Sequence, residues 1–157
     1  MEPGDGEAVA EIYNEGIAGR EATFEIGLRS GSDVLRWPSE GPVLVCEVDG
    51  LVKGWARLGR YSPRPAYAGI GEAAVYVASS FRGRGLGRLL LDSLCEEAGR
   101  RGYWKLTGKL FASNEASVAL VRRCGFREVG THLRHGRLDG EWRDVLVVER
   151  LVGEALA

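Results

Sequence analysis

The chain has 157 residues, a formal net charge of −1, and 45% apolar against 27% charged residues. That suffices for one domain with a real core and no need of covalent staples. The balanced charge gives no pull towards nucleic acid or an anionic membrane, and no apolar run approaches the roughly 18–20 residues of a membrane span. Cys46, Cys95 and Cys124 are far apart and show neither CxxC nor metal-ligand spacing. They read as reduced thiols in a cytoplasmic protein without a metal site.

In chain order, MEPGDGEAVAEIYN has neither a basic start nor a continuous apolar stretch, so it is not read as a secretory signal. From Asp5 to about Ala18, Val9, Ile12, Tyr13 and Ile17 recur at helical spacing. A short helix capped by Ser32 or Asp33 and stopped by Pro38 follows. Val43–Val48 and Leu51–Leu58 flank the two-residue turn Asp49-Gly50 and predict a hairpin. Residues 59–71, rich in Gly, Pro and Arg, predict a loop, and Ala73–Val77 a short strand. Leu86, Leu89, Leu90, Leu94 and Ala98 define one face of a helix that ends at Gly99-Arg100-Arg101. Trp104–Phe111 predicts a strand, and Ser113 or Asn114 starts a helix that Gly125 stops. Phe126–Gly130 and Asp144–Leu151 predict closing strands, joined by a polar segment with Asp139-Gly140 at its turn. This order gives a single α/β (mixed α+β) domain over 1–157, with one mixed sheet covered by helices.

The chemistry concentrates between Val75 and Arg88. A strand (Val75, Tyr76, Val77) leads through a short connector into Arg82-Gly83-Arg84-Gly85-Leu86-Gly87-Arg88, where a helix begins. Glycines at 83, 85 and 87 let a ligand approach the backbone N–H groups, and the helix start adds free donors and partial positive charge. With Arg82, Arg84 and Arg88 nearby, this is a cradle for a pyrophosphate. A dinucleotide fingerprint would need GxGxxG and a later acidic residue; a Walker loop would need GxxxxGK[ST]. Neither occurs.

Arg82-x-x-Gly85-x-Gly87 resembles the Arg/Gln-x-x-Gly-x-Gly/Ala signature of the GNAT N-acetyltransferases. Asn114-Glu115-Ala116-Ser117 and Cys124-Gly125-Phe126 resemble that superfamily's second motif. Ile12–Ile17, Ala22-Thr23-Phe24-Glu25, Arg64-Pro65-Ala66-Tyr67, Glu72-x-x-Val75-Tyr76-Val77 and Asp139-Gly140-x-Trp142-x-Asp144-Val145 narrow the likeness to the phosphinothricin/methionine sulfoximine acetyltransferase branch. The resemblance implies a GNAT fold: a central, mostly antiparallel mixed sheet flanked by helices. It also implies acetyl-CoA as co-substrate, held by backbone of Val75, Tyr76 and Val77, by the Arg82–Arg88 turn, and by Asn114 and Ser117. Branch members open with a short β-strand before Pro3–Asp5, for which this sequence has almost no residues.

The implied reaction is attack of a neutral amine on the acetyl thioester. Glu72 is the expected base, and the backbone N–H of Val77 the expected oxyanion donor. Where relatives carry a tyrosine or histidine as acid, this chain has Val121, which has no proton to give. A thiol ionises only a little above neutral (about 8.5 for free Cys), so it can leave as thiolate unaided. Arg64 is expected to pair with an acceptor carboxylate, with Ala66, Tyr67, Phe24 and Glu25 completing the pocket. His132 and His135 read as non-catalytic. The expected acceptor is a small amino acid or analogue, and Trp142 is a candidate contact of a homodimer. The alternatives are a peptide, protein or other amine acceptor, signalled by an open acidic groove, and a silent acyl-CoA sensor, which Val121 favours.

Overall fold

The computed structural model describes residues 1–156. Four helices, α1 (Gly6–Ala18), α2 (Gly31–Val34), α3 (Leu86–Arg100) and α4 (Glu115–Arg123), accompany six strands. These are β1 (Val43–Val48), β2 (Leu51–Arg60), β3 (Ile70–Val77), β4 (Lys105–Phe111), β5 (Arg127–Leu138) and β6 (Glu141–Leu151). They form one sheet in the order β1-β2-β3-β4-β6-β5. Every neighbouring pair is antiparallel except β3 and β4, which run parallel. The predicted element order holds throughout.

The amphipathic stripes of the helices decide the layers. α3 buries Leu90, Leu91, Leu94 and Ala98 against Ala56, Leu58, Leu106 and Val148, and α4 joins that face through Val118, Leu120 and Val121. On the opposite face, α1 and α2 bury Val9, Ile12 and Val34 against Trp55, with Tyr13, Trp37 and Tyr76 packed around them. Each buried Leu, Ile or Val contributes about 1.5–3 kcal/mol of transfer free energy. The central strands therefore carry one apolar layer on each side.

Several boundaries move. The short helix is capped by Ser30, whose side chain accepts from the Asp33 amide, rather than by Ser32 or Asp33. Strand β2 runs on to Arg60 and β3 starts at Ile70, because Arg60 pairs with Gly71 and Gly59 with Glu72. The polar segment after Gly130 is strand, not loop. It pairs with β6 up to the Asp139-Gly140 turn, where both residues have positive φ (51° and 84°). Arg127–His135 are all exposed, so this outermost strand lacks the in–out alternation from which strands are read. Before α1 the described residues form only a 3-10 turn, Pro3–Asp5, and the Met1 amino group donates to the Val43 carbonyl on β1 (3.2 Å).

Candidate active site

Between β3 and β4 the sheet comes apart. Their pairing consists of Ile70 with Lys105, Gly71 with Leu106 and Glu72 with Thr107, and then stops although both strands continue. On its other side β3 stays paired with β2 as far as Val77. The Ala78 amide donates to Lys53 (2.9 Å), so by antiparallel alternation the even-numbered residues of β3 bond towards β2. The odd-numbered residues face the gap. The amides of Val75 and Val77 are thus the free donors beyond the last rung, while the Val77 carbonyl accepts from Arg82 Nε (3.3 Å).

Two cavities meet at this gap. On the α3/α4 side, a channel of about 130 Å³ is lined by Val75, Leu91, Gly108, Asn114, Ser117, Leu120 and Val121, among others. On the α1/α2 side lies an open cleft of about 1150 Å³. Ala73, Ala74, Tyr76, Lys109, Leu110 and Phe111 line both, so the opening passes through the sheet.

Past the channel, β3 runs on to Val77 and the chain turns into α3. Gly83 (φ 74°) and Gly85 (φ 85°) adopt the left-handed conformation, and a Cβ on either would meet nothing within 4 Å. Gly85 is the N-cap and no side chain caps the helix. Its first amides are therefore open to an anion, with Arg84 and Arg88 exposed beside them. Arg82 instead ties the turn to β3 through Val77. Asn114 caps α4 by accepting from the Ser117 amide (3.0 Å) and donates to the Glu21 carbonyl (2.9 Å), so its amide also anchors the segment crossing the cleft. An extended, amide-bearing arm along β3 with its phosphates at α3 fits these groups: two free strand amides, an uncapped helix and a channel beside the strand.

The cleft floor is the sheet face that alternation presents opposite α3. Gly59 faces Glu72 and Arg57 faces Ala74 across the β2–β3 ladder. With no side chain at Gly59 and a methyl at Ala74, three charged groups surround a shallow floor. Glu72 accepts from Lys109 Nζ (3.3 Å), with side chains 38% and 47% exposed. Such a half-exposed pair adds at most about 1 kcal/mol, so it matters for placement more than for stability. Arg57 is only 18% exposed; it donates to Glu40 Oε2 (2.7 Å) and lies 4.5 Å over the Trp37 ring. Burial holds its pKa below the ordinary arginine value, opposed by Glu40.

Aromatic side chains wall the cleft. Tyr76 stacks on Trp55 (4.8 Å, 20°) and meets Tyr13 edge-on (5.0 Å). Burial raises its hydroxyl well above the ordinary tyrosine range, so it stays a neutral donor, 3.5 Å from the Ala22 carbonyl. Phe24 meets Phe111 edge-on (4.7 Å) on the other side. Glu25 and Arg29 form an ion pair (2.9 Å) at the rim.

The structure brings Glu72, Phe24, Glu25 and Tyr76 to one cleft, and Val75, Asn114 and Ser117 to the channel behind it. Arg64, Ala66 and Tyr67 do not line it. Arg64 precedes an exposed 3-10 turn (Pro65–Tyr67), and Tyr67 packs on Tyr61 instead (5.9 Å). Arg57, Lys109, Trp37 and Tyr13 were not anticipated as site residues. Nothing local marks them: Arg57 and Lys109 meet through the register of β2, β3 and β4, while Tyr13 and Trp37 reach the cleft from α1 and the 3-10 turn Trp37–Ser39. His135 also lines the cleft, its ring stacked on His132 (4.5 Å).

Residues 11–126 match the acetyltransferase (GNAT) family. Over 141 residues the chain is 32% identical to the L-methionine sulfoximine/L-methionine sulfone acetyltransferase of Pseudomonas aeruginosa, covering 88% of this chain and 77% of that protein. A ribosomal-protein-alanine N-acetyltransferase from Brucella melitensis superposes with a TM-score of 0.92 at 35% identity, covering 97% of each chain. A GNAT superfamily phosphinothricin acetyltransferase from Sinorhizobium meliloti, solved in complex with acetyl-CoA, gives 0.92 at 28% identity over 98% of this chain and 86% of its own.

Proposed function

The chain belongs to the acetyltransferase (GNAT) family and is an acetyl-CoA-dependent N-acetyltransferase, and from that premise we propose that it acetylates the α-amino group of a small free amino acid or amino-acid analogue. The observation that carries this reading is the cleft floor, where a partly buried arginine, Arg57, and a carboxylate, Glu72, flank Ala74 beside the opening to the channel. A zwitterion fits such a pair. Its carboxylate takes the unused guanidinium N–H donors of Arg57, and its amine lies towards Glu72.

The acetyl thioester enters from the channel side, with the coenzyme phosphates at the Gly83–Arg88 turn and the pantetheine amides on the β3 edge. Glu72 removes a proton from the acceptor ammonium, directly or through water. The nitrogen lone pair attacks the carbonyl carbon, and the carbonyl oxygen takes charge against a strand amide. At about 3.3 Å per residue, Val77 lies about 16 Å along the strand from Glu72, and Val75 about 10 Å. We therefore assign the oxyanion to the Val75 N–H and leave the Val77 N–H to the coenzyme arm. The carbon–sulfur bond then breaks and coenzyme A leaves as thiolate, since Val121 at the channel wall offers no proton; the nitrogen loses its second proton to water as the amide forms.

The relative from Pseudomonas, named for methionine sulfoximine and methionine sulfone, supports the small-acceptor reading. The neighbour from Brucella, named for a ribosomal protein, supports a second reading in which the acceptor is a protein amino terminus. The cleft separates them chemically. Its acids Glu25, Asp33, Glu40 and Glu72 are each paired with a cation, so it is not the acidic groove that a cationic peptide would select. The test is free-thiol release from acetyl-CoA with methionine sulfoximine, methionine sulfone, phosphinothricin, common amino acids, polyamines and short peptides. Selective release with an amino-acid analogue is expected. Release only with peptides or polyamines would replace the acceptor, and coenzyme binding without release to any amine would favour the silent sensor.

The working form is a homodimer in the cytoplasm. The outermost strand β5 presents Val129 and Leu133 to solvent (51% and 76% exposed), and Trp142 beside it is 49% exposed under Arg137. An open edge with apolar side chains calls for a cover, and sedimentation equilibrium at the mass of one chain would refute the dimer. The free thiols Cys46, Cys95 and Cys124 suit a reducing compartment.

A further inference from the structure

The sequence contains only three lysines, Lys53, Lys105 and Lys109, against 18 arginines. Two of the three are engaged away from the reaction centre. Lys105 pairs with Glu149 (3.1 Å), and Lys53 lies 5.1 Å over the Phe81 ring. Lys109 alone of the three lines both the channel and the cleft. It stands on β4 two residues beyond Thr107, where pairing with β3 ends, and its Nζ is 3.3 Å from Glu72 Oε2.

That position has a chemical consequence. The carboxylate assigned to deprotonate the acceptor already holds a primary ammonium, at hydrogen-bond distance, at the opening through which the thioester is presented. From this geometry we infer that the enzyme acetylates its own Lys109. The inference rests on Glu72 and the channel acting as proposed above. Glu72 takes a proton from the Lys109 ammonium, and the freed lone pair attacks the thioester carbonyl. A carbon–nitrogen bond forms, the nitrogen gives up its second proton as the carbon–sulfur bond breaks, and of the two protons released one goes to the thiolate and one to solvent. The products are an Nε-acetyl amide and free coenzyme A; nothing is oxidised or reduced. Half exposure of the lysine leaves it free to change rotamer towards the gap.

Self-acetylation also changes the site. The amide carries no charge, so the contact between residue 109 and Glu72 ceases to be an ion pair, and an incoming amine no longer competes with a resident one. A free acceptor and Lys109 are thus rivals for one base and one acetyl group.

The experiment is to incubate the purified protein with isotopically labelled acetyl-CoA and no acceptor. Intact mass and peptides from a protease that does not cleave at lysine are then read. The expected result is one label per chain, at Lys109, with a half-time independent of protein concentration and lengthened by saturating L-methionine sulfone. Glu72→Gln is expected to slow labelling by about a hundredfold, while calorimetry shows that it still binds acetyl-CoA. Lys53 and Lys105 serve as internal references. Label at Lys109 no greater than theirs, or equal in Glu72→Gln, would overturn the inference. Thiol release with L-methionine sulfone on the same preparation separates the two claims. Turnover with Lys109 unlabelled defeats self-acetylation alone, whereas neither turnover nor label defeats the acetyl-transfer reading of this site as well.

Discussion

Glu72 and Arg57 come from different strands and meet on one face because Gly59 pairs with Glu72 and Arg57 with Ala74. Their roles separate in kinetics. Glu72→Gln keeps the shape and removes the proposed base, so kcat is expected to fall about a hundredfold with coenzyme affinity unchanged. The loss should deepen as pH falls, since more acceptor amine then arrives protonated; a flat ratio of wild type to variant across pH would contradict this. Arg57→Gln removes the guanidinium fork and leaves Glu40 without its partner. The KM for an amino acid should rise by about tenfold or more, the loss of a charge-assisted pair worth about 1.5–3 kcal/mol, while the KM for acetyl-CoA holds. Glu72 was legible in the sequence through the motif around it. Arg57 and Lys109 were not, because which strand residues share a face across a ladder depends on register, and register is set by contacts remote along the chain. Arg64 was expected at the acceptor because it precedes Glu72 in sequence, yet it lies at an exposed turn outside the cleft lining.

The turn into α3 is the element that the sequence announced most clearly, since each glycine has a geometric task. Gly85→Asp forces a side chain into a left-handed conformation at a cost of about 1–2 kcal/mol. It also sets a carboxylate at the proposed phosphate site. Thermal stability should fall modestly and acetyl-CoA affinity by at least about tenfold, read by calorimetry; unchanged affinity would remove the turn from the coenzyme site. The segment between α1 and α2 is the opposite case. It is irregular, and its position depends on two asparagines: Asn14 bonds the Arg29 backbone twice (2.8 and 2.9 Å), and Asn114 holds the Glu21 carbonyl. Asn114→Ala removes a helix cap worth about 1 kcal/mol and releases one end of the segment that carries Phe24 and Glu25. Acceptor KM should rise in this variant; a change confined to stability would leave Asn114 as a cap only. The continuation of β5 beyond Gly130 was unreadable for a different reason, since a stretch exposed on both faces as far as His135 has no periodicity to display.

At the scale of the whole molecule, the parallel pairing of β3 with β4 lasts three residue pairs, and both cavities owe their meeting to its early end. A sheet that stayed closed would separate α3 and its anion site from the Arg57–Glu72 floor. The order of elements and the mixed sheet follow from hydrophobic period and turn signals, but the splay does not, because no local pattern says where two strands part. In the proposed mechanism the same architecture divides the labour: one face of the sheet presents the donor, the other selects the acceptor. The central proposal for the acceptor face is that it reads a carboxylate. The most direct test compares kcat/KM for thiol release with L-methionine sulfone and with its decarboxylated amine, 3-(methylsulfonyl)propan-1-amine. The account predicts that the amino acid is preferred by about a hundredfold, the worth of a well-placed bidentate pair, and that Arg57→Gln erases most of that preference. Equal efficiency for the two in the wild-type enzyme would contradict it.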